Sequence, residues 1–530
     1  MVKEVSNDVS KYKTGIAVAF AVVAMLVLPA SRQSVRVLLA QTAAAPTMLV
    51  PNLAVRTVFQ GATMPTTMAF LGRDDFVLLE KTTGRVLRIV GGQLHSVVLD
   101  LPVNFASERG LLGIALHPDF PKNPGVYLYW TCSAPPPPAS NPFIPTLSEC
   151  PDNPGTGADT NDVLAVPLLG NRVDRFVWNG TSLTYDRNLI KLHAFQNDAA
   201  PLPAGQGDGG QNAAGNHNGG ILRFGPDRKL YIIIGDNGRR GQLQNLAEGP
   251  TPPSDDDQFG GPEPDDFHLT GSIFRLNDDG STPTDNPLYS AGGAIGGDAG
   301  DNIQKIFAYG IRNSFGMAFD PISGQLWTQE NGDDTFDEIN RVEPGMDGGW
   351  VQIMGPVARI AEFASLERTL TPPTPPALQQ LRWPPDNIAD TPEEALSRLV
   401  LFPGAHYSDP EFSWKYAVAP AGIGFMNGRG LGPQYDGDLF VGASRPTLAG
   451  GYLFRLQLTG NRRKIAVDDA RLDDRVADNT AKFDITESES LLVGRDFGVG
   501  TDIQTGPNGN LFVVSLSNGA VYEIYRVKGK

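Results

Sequence analysis

His217 stands between Asn216 and Asn218, just ahead of the pair Gly219-Gly220, and is the residue of this sequence best placed for proton transfer. Asp236 follows beyond a strand–turn–strand segment whose turn spans Gly225 to Lys229. If those strands pair as a hairpin, His217 and Asp236 reach the same end of it. A carboxylate there orients an imidazole and raises its basicity, as a general base requires. From spacing alone, a hydrogen-bonded histidine with a purely structural role is the plainer reading. The other five histidines are plainer: His117 sits in a hairpin turn, and no pair has zinc-ligand spacing. Gly205-Gln206-Gly207-Asp208-Gly209-Gly210 has the look of a dinucleotide fingerprint, but it follows no strand and opens no helix. No Gly-x-Ser-x-Gly elbow or phosphate loop is present. Acidic clusters at Asp255 to Asp257, Asp265-Asp266 and Asp333-Asp334 offer hard oxygens for Ca²⁺, none of them with EF-hand spacing. For the first two, acidic surface loops are the plainer reading.

A hairpin that recurs six times must position these residues. In each copy a short apolar strand meets a turn of Pro, Asp, Asn or Gly, and a second apolar strand follows. The copies run Met68–Phe70 to Phe76–Leu79, Ile114–Leu116 to Val126–Tyr129, and Leu222–Phe224 to Leu230–Ile233. The later three are Met317–Phe319 to Leu326-Trp327, Gly424–Met426 to Leu439–Val441, and Ile503–Thr505 to Leu511–Val514. Antiparallel units with an exposed apolar face must stack on one another to bury it. An all-β, six-bladed β-propeller is the best reading, with a β-sandwich array as the alternative. The uneven intervals put long insertions at Cys132–Thr160, Ala199–Asn216, Glu248–Phe267 and Val357–Val400. Helix is scarce. Ala358 to Leu370 has helical spacing, and Thr391-Pro392-Glu393-Glu394 reads as an N-cap, a first-turn proline and a capping-box glutamate. Both lie in one Pro-rich insertion, readable as a cap over one propeller face or as a surface excursion.

The 530 residues carry a formal charge of −16, with 60 Gly and 43 Pro. Gly and Pro thus make up close to a fifth of the chain, against an average of about 12%. At 41% hydrophobic and 19% charged, the chain is too apolar for disorder. Its acidity argues against nucleic acid and anionic membranes as partners and suits a neutral or cationic substrate. Lys3, Lys11 and Lys13 precede the apolar run Gly15 to Leu28, which has signal-peptide length and is short for a membrane span. Residues 1–45 therefore read as a signal peptide, or an uncleaved anchor, with an Ala-rich linker. Residues 46–530 read as the propeller of a periplasmic or secreted protein with no stable membrane span after processing. Two cysteines, Cys132 and Cys150, flank Pro135 to Pro138. In an oxidising compartment they read as a disulfide staple worth about 3 kcal/mol. Two free thiols are the alternative.

Glu108-Arg109-Gly110-Leu111-Leu112-Gly113 through His117-Pro118-Asp119-Phe120 resembles the first signature of the soluble pyrroloquinoline quinone (PQQ) glucose/sorbosone dehydrogenases. His217-Asn218-Gly219-Gly220 to Gly235-Asp236 resembles the second, and Tyr309-Gly310-Ile311-Arg312-Asn313-Ser314-Phe315-Gly316 the third. Gln329-Glu330-Asn331-Gly332 with Asp337-Glu338-Ile339-Asn340 supplies a fourth, in the same order. The resemblance runs from about Ser107 to Trp350 and thins towards the C-terminus. It implies a six-bladed propeller carrying PQQ and Ca²⁺ that oxidises an aldose or related polyol for an external electron acceptor. By position, His217 would be the general base, oriented by Asp236. Arg312 and Asn313 would contact the quinone oxygens, and Arg312 would stabilise charge developing as hydride arrives. Glu108 falls where glucose enzymes carry a cofactor-contacting Gln. The carbonyls of Gly332 and Asp333 would ligate the Ca²⁺.

Departures from the family pattern are specific. Asn216 stands where the glucose enzymes have Asp, and Asp333 replaces a Pro beside the calcium. PQQ is a tricarboxylate and needs cations. Arg445 and Arg455 are the candidates to hold its carboxylates, although Arg455 lies within a strand and reads equally as structural. Asn427 falls near the expected Lys. Two other functions compete: a Ca²⁺-dependent hydrolase such as a lactonase, and a non-catalytic binding propeller.

Overall fold

Each of the six hairpins forms as an antiparallel pair and seeds a sheet. The computed structural model describes residues 44–133, 150–153, 155, 169–194, 216–237, 269–370, 385–444 and 450–527. The first sheet runs Pro65–Gly72, Asp75–Glu80, Arg85–Val90 and Gln93–Asp100; the second runs Leu111–Leu116, Gly125–Thr131, Asn171–Trp178 and Leu183–Leu192. The third begins Leu222–Phe224, Leu230–Ile234, Ser272–Leu276 and Ile306–Tyr309, and the fourth Met317–Phe319, Leu326–Glu330, Thr335–Val342 and Phe412–Tyr416. The fifth is built on Pro420–Phe425, Leu439–Ala443, Tyr452–Leu458 and Leu492–Arg495. The sixth consists of Gly500–Thr505, Leu511–Ser515 and Ala520–Arg526, completed on its outer side by Leu53–Gln60. An N-terminal strand therefore closes the last sheet, which the hairpin pattern alone did not reveal.

The architecture is a β-propeller. First strands of consecutive sheets pack side by side from the first sheet to the sixth, and the sixth packs back onto the first. The period-2 alternation of a strand explains how both faces of a sheet are covered. In Gly125–Thr131, Val126, Leu128 and Trp130 join an apolar cluster with Val77 and Leu79 of the first sheet. The intervening Tyr127 and Tyr129 face Leu222 and Ile232 of the third. Equivalent clusters fill the remaining junctions, down to Phe76 and Leu78 of the first sheet against Phe512 and Val514 of the sixth. The core is thus distributed around the ring. Its centre is polar. Asp502 on the sixth sheet accepts from Thr67 Oγ1 at 2.6 Å and Met68 N at 3.1 Å on the first. It also takes Arg223 Nη2 of the third sheet at 2.8 Å, an ion pair that spans the ring.

Helices Tyr289–Ile295 and Gly297–Ile303 lie between the last two strands named for the third sheet and were not foreseen. Their run of Gly and Ala has no apolar periodicity to announce them. In the insertion after Val357, a helix spans Ile360–Leu370 and a second Pro392–Ser397, where Thr391 caps by accepting from Glu394 N. Ile360, Phe363, Ala364, Ile388 and Ala395 form one buried cluster with Phe336 and Trp350. The insertion is therefore packed onto the propeller rather than a free excursion. Cys132 and Cys150 are disulfide-paired with Cα atoms 6.5 Å apart. Among the described residues no helix is long and apolar enough to cross a membrane. The apolar run Gly15 to Leu28, the Gly205–Gly210 segment, the clusters at Asp255 and Asp265, and Arg445 all lie outside the described residues.

Candidate active site

The candidate residues come from loops at one end of the sheets. His217 leads into the first strand of the third sheet, and Asp236 follows its second. Arg312 and Asn313 lie on the connection from the third sheet to the fourth. Gly332 and Asp333 lie between the second and third strands of the fourth sheet, and Glu108 on the connection from the first sheet to the second.

His217 Nδ1 and Asp236 Oδ1 are 2.6 Å apart, and both side chains are buried. The other carboxylate oxygen of Asp236 accepts from Trp350 Nε1 at 2.8 Å. With Nδ1 spent on Asp236, Nε2 is the ring nitrogen left to take a proton. His217 adopts a left-handed backbone with φ of 57°, a conformation uncommon for residues other than Gly, although Asn, Asp and His take it more readily than the rest. The surroundings enforce it. Glu108 Oε2 accepts His217 N at 2.6 Å and Asn313 Nδ2 at 3.3 Å, tying three loops together. Gly235 completes the packing: a Cβ there would lie 2.5 Å from the His217 carbonyl and 2.6 Å from that of Arg312. Any larger residue would force the two loops apart. Glu108 is itself steadied by Lys81, whose ammonium donates to the carbonyls of Phe105 at 3.0 Å and Ser107 at 2.8 Å. Burial lowers the Lys81 pKa to about 7, helped by the nearby Arg109 charge.

Arg312 donates through Nη1 to Asn331 O at 2.9 Å and through Nη2 to Asp333 Oδ1 at 3.2 Å. Its guanidinium lies 5.5 Å from the Trp350 ring centroid, an attractive cation–π contact. Trp350 therefore touches both the carboxylate behind His217 and the guanidinium of Arg312. It went unnoticed in the sequence because nothing about an isolated Trp signals such a bridge. Arg312 N donates to Glu330, whose carboxyl is raised well above the ordinary range by burial and by the neighbouring Glu338. Gly332 N is held by Asp337 Oδ1 at 2.8 Å, while Asp337 Oδ2 accepts Val418 N and Ala419 N, each at 2.7 Å. Burial pushes Asp337 up to about 6 despite these three donors. Asp337→Asn leaves at least one of the amides facing an NH₂ group and is expected to cost about 1–3 kcal/mol. Urea unfolding of the two proteins checks this; equal midpoints and slopes contradict it.

The structure brings His217, Asp236, Glu108, Arg312, Asn313 and Asp333 together and excludes Arg455. That guanidinium is held by Asp438 Oδ2 at 2.6 Å and stacks 4.5 Å from the Tyr435 ring. The register explains the correction: Arg455 pairs opposite Phe440, near the turn that precedes Leu439, at the far end of the strand from the loop after Ala443. A cation absent from the sequence reading does reach the site. Lys482 is ion-paired with Asp334 and lies within electrostatic reach of Asp333 and Arg312. Burial lowers its pKa, with Asp333 pulling it back up. Asn216 accepts from Ser107 Oγ. Among the described residues no three His, Cys, Asp or Glu side chains gather in metal-binding array.

A family model described as "Glucose / Sorbosone dehydrogenase" matches residues 62–142 and 209–358. The chain is 29% identical over 286 residues to Quinoprotein glucose dehydrogenase B of Acinetobacter calcoaceticus, covering 52% of this chain and 48% of that protein. It is 26% identical over 339 residues to Aldose sugar dehydrogenase YliI of Escherichia coli strain K12, covering 63% of this chain and 66% of that protein. The match thus spans about half to two thirds of the length of these two relatives. Among solved structures, the PQQ-bound form of Aldose Sugar Dehydrogenase from Streptomyces coelicolor superposes with a TM-score of 0.51 at 20% identity. That alignment covers 91% of this chain and 100% of the other, and the likeness is one of fold.

Proposed function

We propose that the chain is a member of the glucose/sorbosone dehydrogenase family, whose model matches residues 62–142 and 209–358, and that it is a PQQ- and Ca²⁺-dependent dehydrogenase of an aldose or related polyol, passing electrons to an external acceptor. The observation that carries the reading is the buried His217–Asp236 pair set beside Arg312 and Asn313 at one end of the ring. The six sheets are read as six blades, which the cyclic packing of their first strands supports. Export to the periplasm or medium is supported by the Lys-flanked apolar run near the N-terminus and by the disulfide.

Arg312 offers a guanidinium to an oxygen-rich anion, while the buried Oδ1 atoms of Asn313 and Asn331, acceptors with no partner among the described residues, suit a cation or an O–H donor. PQQ, when bound, supplies the two-electron acceptor, and Ca²⁺ polarises it. His217 Nε2 takes the proton of the sugar hydroxyl that is being oxidised. Asp236 fixes the ring and stabilises its protonated form. Arg312 presents positive charge in a water-poor setting, where an electrostatic contact counts for more than in water. Glu108 holds the His217 and Asn313 loops in register. Gly332 and Asp333 carbonyls are the candidate Ca²⁺ ligands, and Arg445 and Lys482 the candidate cations for the PQQ carboxylates. Reconstitution tests the reading: sugar-dependent dye reduction appears only when PQQ and Ca²⁺ are added. Lactone cleavage without quinone, or no activity and no PQQ binding, overturns it in favour of a hydrolase or a binding propeller.

A further inference from the structure

The family match ends at residue 358, and the helix Ile360–Leu370 begins just beyond it. Its buried positions are Ile360, Phe363, Ala364 and Glu367, the i, i+3, i+4, i+7 stripe of an amphipathic helix. Three are apolar, as a packed helix face demands. The fourth is a carboxylate with no exposed surface. Burying a carboxylate is costly unless donors meet it. Here they come from the loop that carries Gly332 and Asp333: Asp334 N at 3.3 Å and Thr335 Oγ1 at 2.9 Å both reach Glu367 Oε1. Two positions on, in the strand that follows the loop, Phe336 holds a left-handed φ of 56° and packs edge-on against Phe363, ring centroids 6.2 Å apart. The helix thus grips this segment at a polar point and an apolar one.

We propose that Glu367 is a positioning residue: the insertion helix clamps the 331–336 segment, and through it sets the orientation of the Gly332 and Asp333 carbonyls and of the Asp333 carboxylate on Arg312. The clamp rests on the dehydrogenase reading only for what it positions, not for its existence. With the clamp in place, the loop is pinned at both ends of its turn, by Asp337 on Gly332 N and by Glu367 on Asp334 N. Without it, the segment loses its two bonds to the insertion helix at Asp334 and Thr335, while the contacts of Arg312 and Asp337 at its other end remain, so its 334–335 end loosens and ligand binding must first order it.

The test compares full-length wild type, Glu367→Met, which keeps the side-chain length but removes the acceptor, and Glu367→Gln, whose amide oxygen accepts both bonds. Hydrogen–deuterium exchange of the peptide spanning 331–336 is read without ligand, and PQQ affinity by spectral titration with Ca²⁺. In Glu367→Met, exchange of that peptide is expected to rise about tenfold while peptides of the first and sixth sheets are unchanged, and Kd for PQQ is expected to rise about tenfold. Glu367→Gln is expected to stay within about threefold of wild type on both readouts. Unchanged exchange at 331–336 in Glu367→Met overturns the clamp. Faster exchange at 331–336 with unaltered PQQ affinity overturns its role at the site. If wild type binds no PQQ while Glu367→Met still loosens the loop, the dehydrogenase reading falls and the clamp stands.

Discussion

Replacing His217 by Ala is expected to lower turnover of the PQQ- and Ca²⁺-loaded protein by about 10³-fold, within the span seen for loss of a general base, with PQQ affinity kept within about threefold. The split between the two readouts follows from the geometry. Nδ1 is occupied by Asp236, and the His217 backbone, not its ring, is what Glu108 grips. Removing the imidazole therefore deletes the proton acceptor and leaves the loop anchored. Asp236 is left with Trp350 Nε1 on its second oxygen and the Arg312 carbonyl accepting from its backbone amide. Single-turnover sugar oxidation and PQQ titration of the same sample check the split. Hydride transfer persisting at the wild-type rate removes the base assignment.

Arg312→Met is expected to reduce kcat by about 10²- to 10³-fold and to weaken PQQ binding as well, because the guanidinium acts where charge develops and also organises the loop beside it. It spans Asn331 O, Asp333 Oδ1 and the Trp350 face at once. Loss of the cation leaves Asp333 facing Asp334 with Lys482 as the remaining positive charge among the described partners of that corner. Lys in place of Arg is no rescue, since an ammonium has neither the planar fork nor the stacking surface. Steady-state kinetics alongside titration measure both losses. A variant within about threefold of wild type in kcat contradicts the electrostatic role.

Much of this was legible in the chain. All six hairpins stand as antiparallel pairs at the expected strands because each carries its own turn chemistry and its own apolar run, both local signals. The His217–Asp236 contact followed from one hairpin register, which the pairing of Leu222 with Ile232 bears out as a placement. Three features were not legible. The strand Leu53–Gln60 joins Ala520–Arg526 across almost the whole chain, and no local pattern encodes that partner. Trp350 and Lys482 reach the site by the folding of loops distant in sequence, so neither spacing nor residue type announces them. Arg455 misled because residue type alone carried it: a strand position faces whichever end its register dictates, and here Asp438 and Tyr435 claim it.

Titrating the full-length protein with PQQ, with Ca²⁺ present and then with Ca²⁺ chelated, tests the central claim most directly. The account predicts saturable binding of about one PQQ per chain at micromolar protein, lost or greatly weakened on chelation, with sugar-dependent bleaching of a dye only in the loaded state. No spectral change at any PQQ concentration, with the protein folded by far-UV circular dichroism, would contradict it.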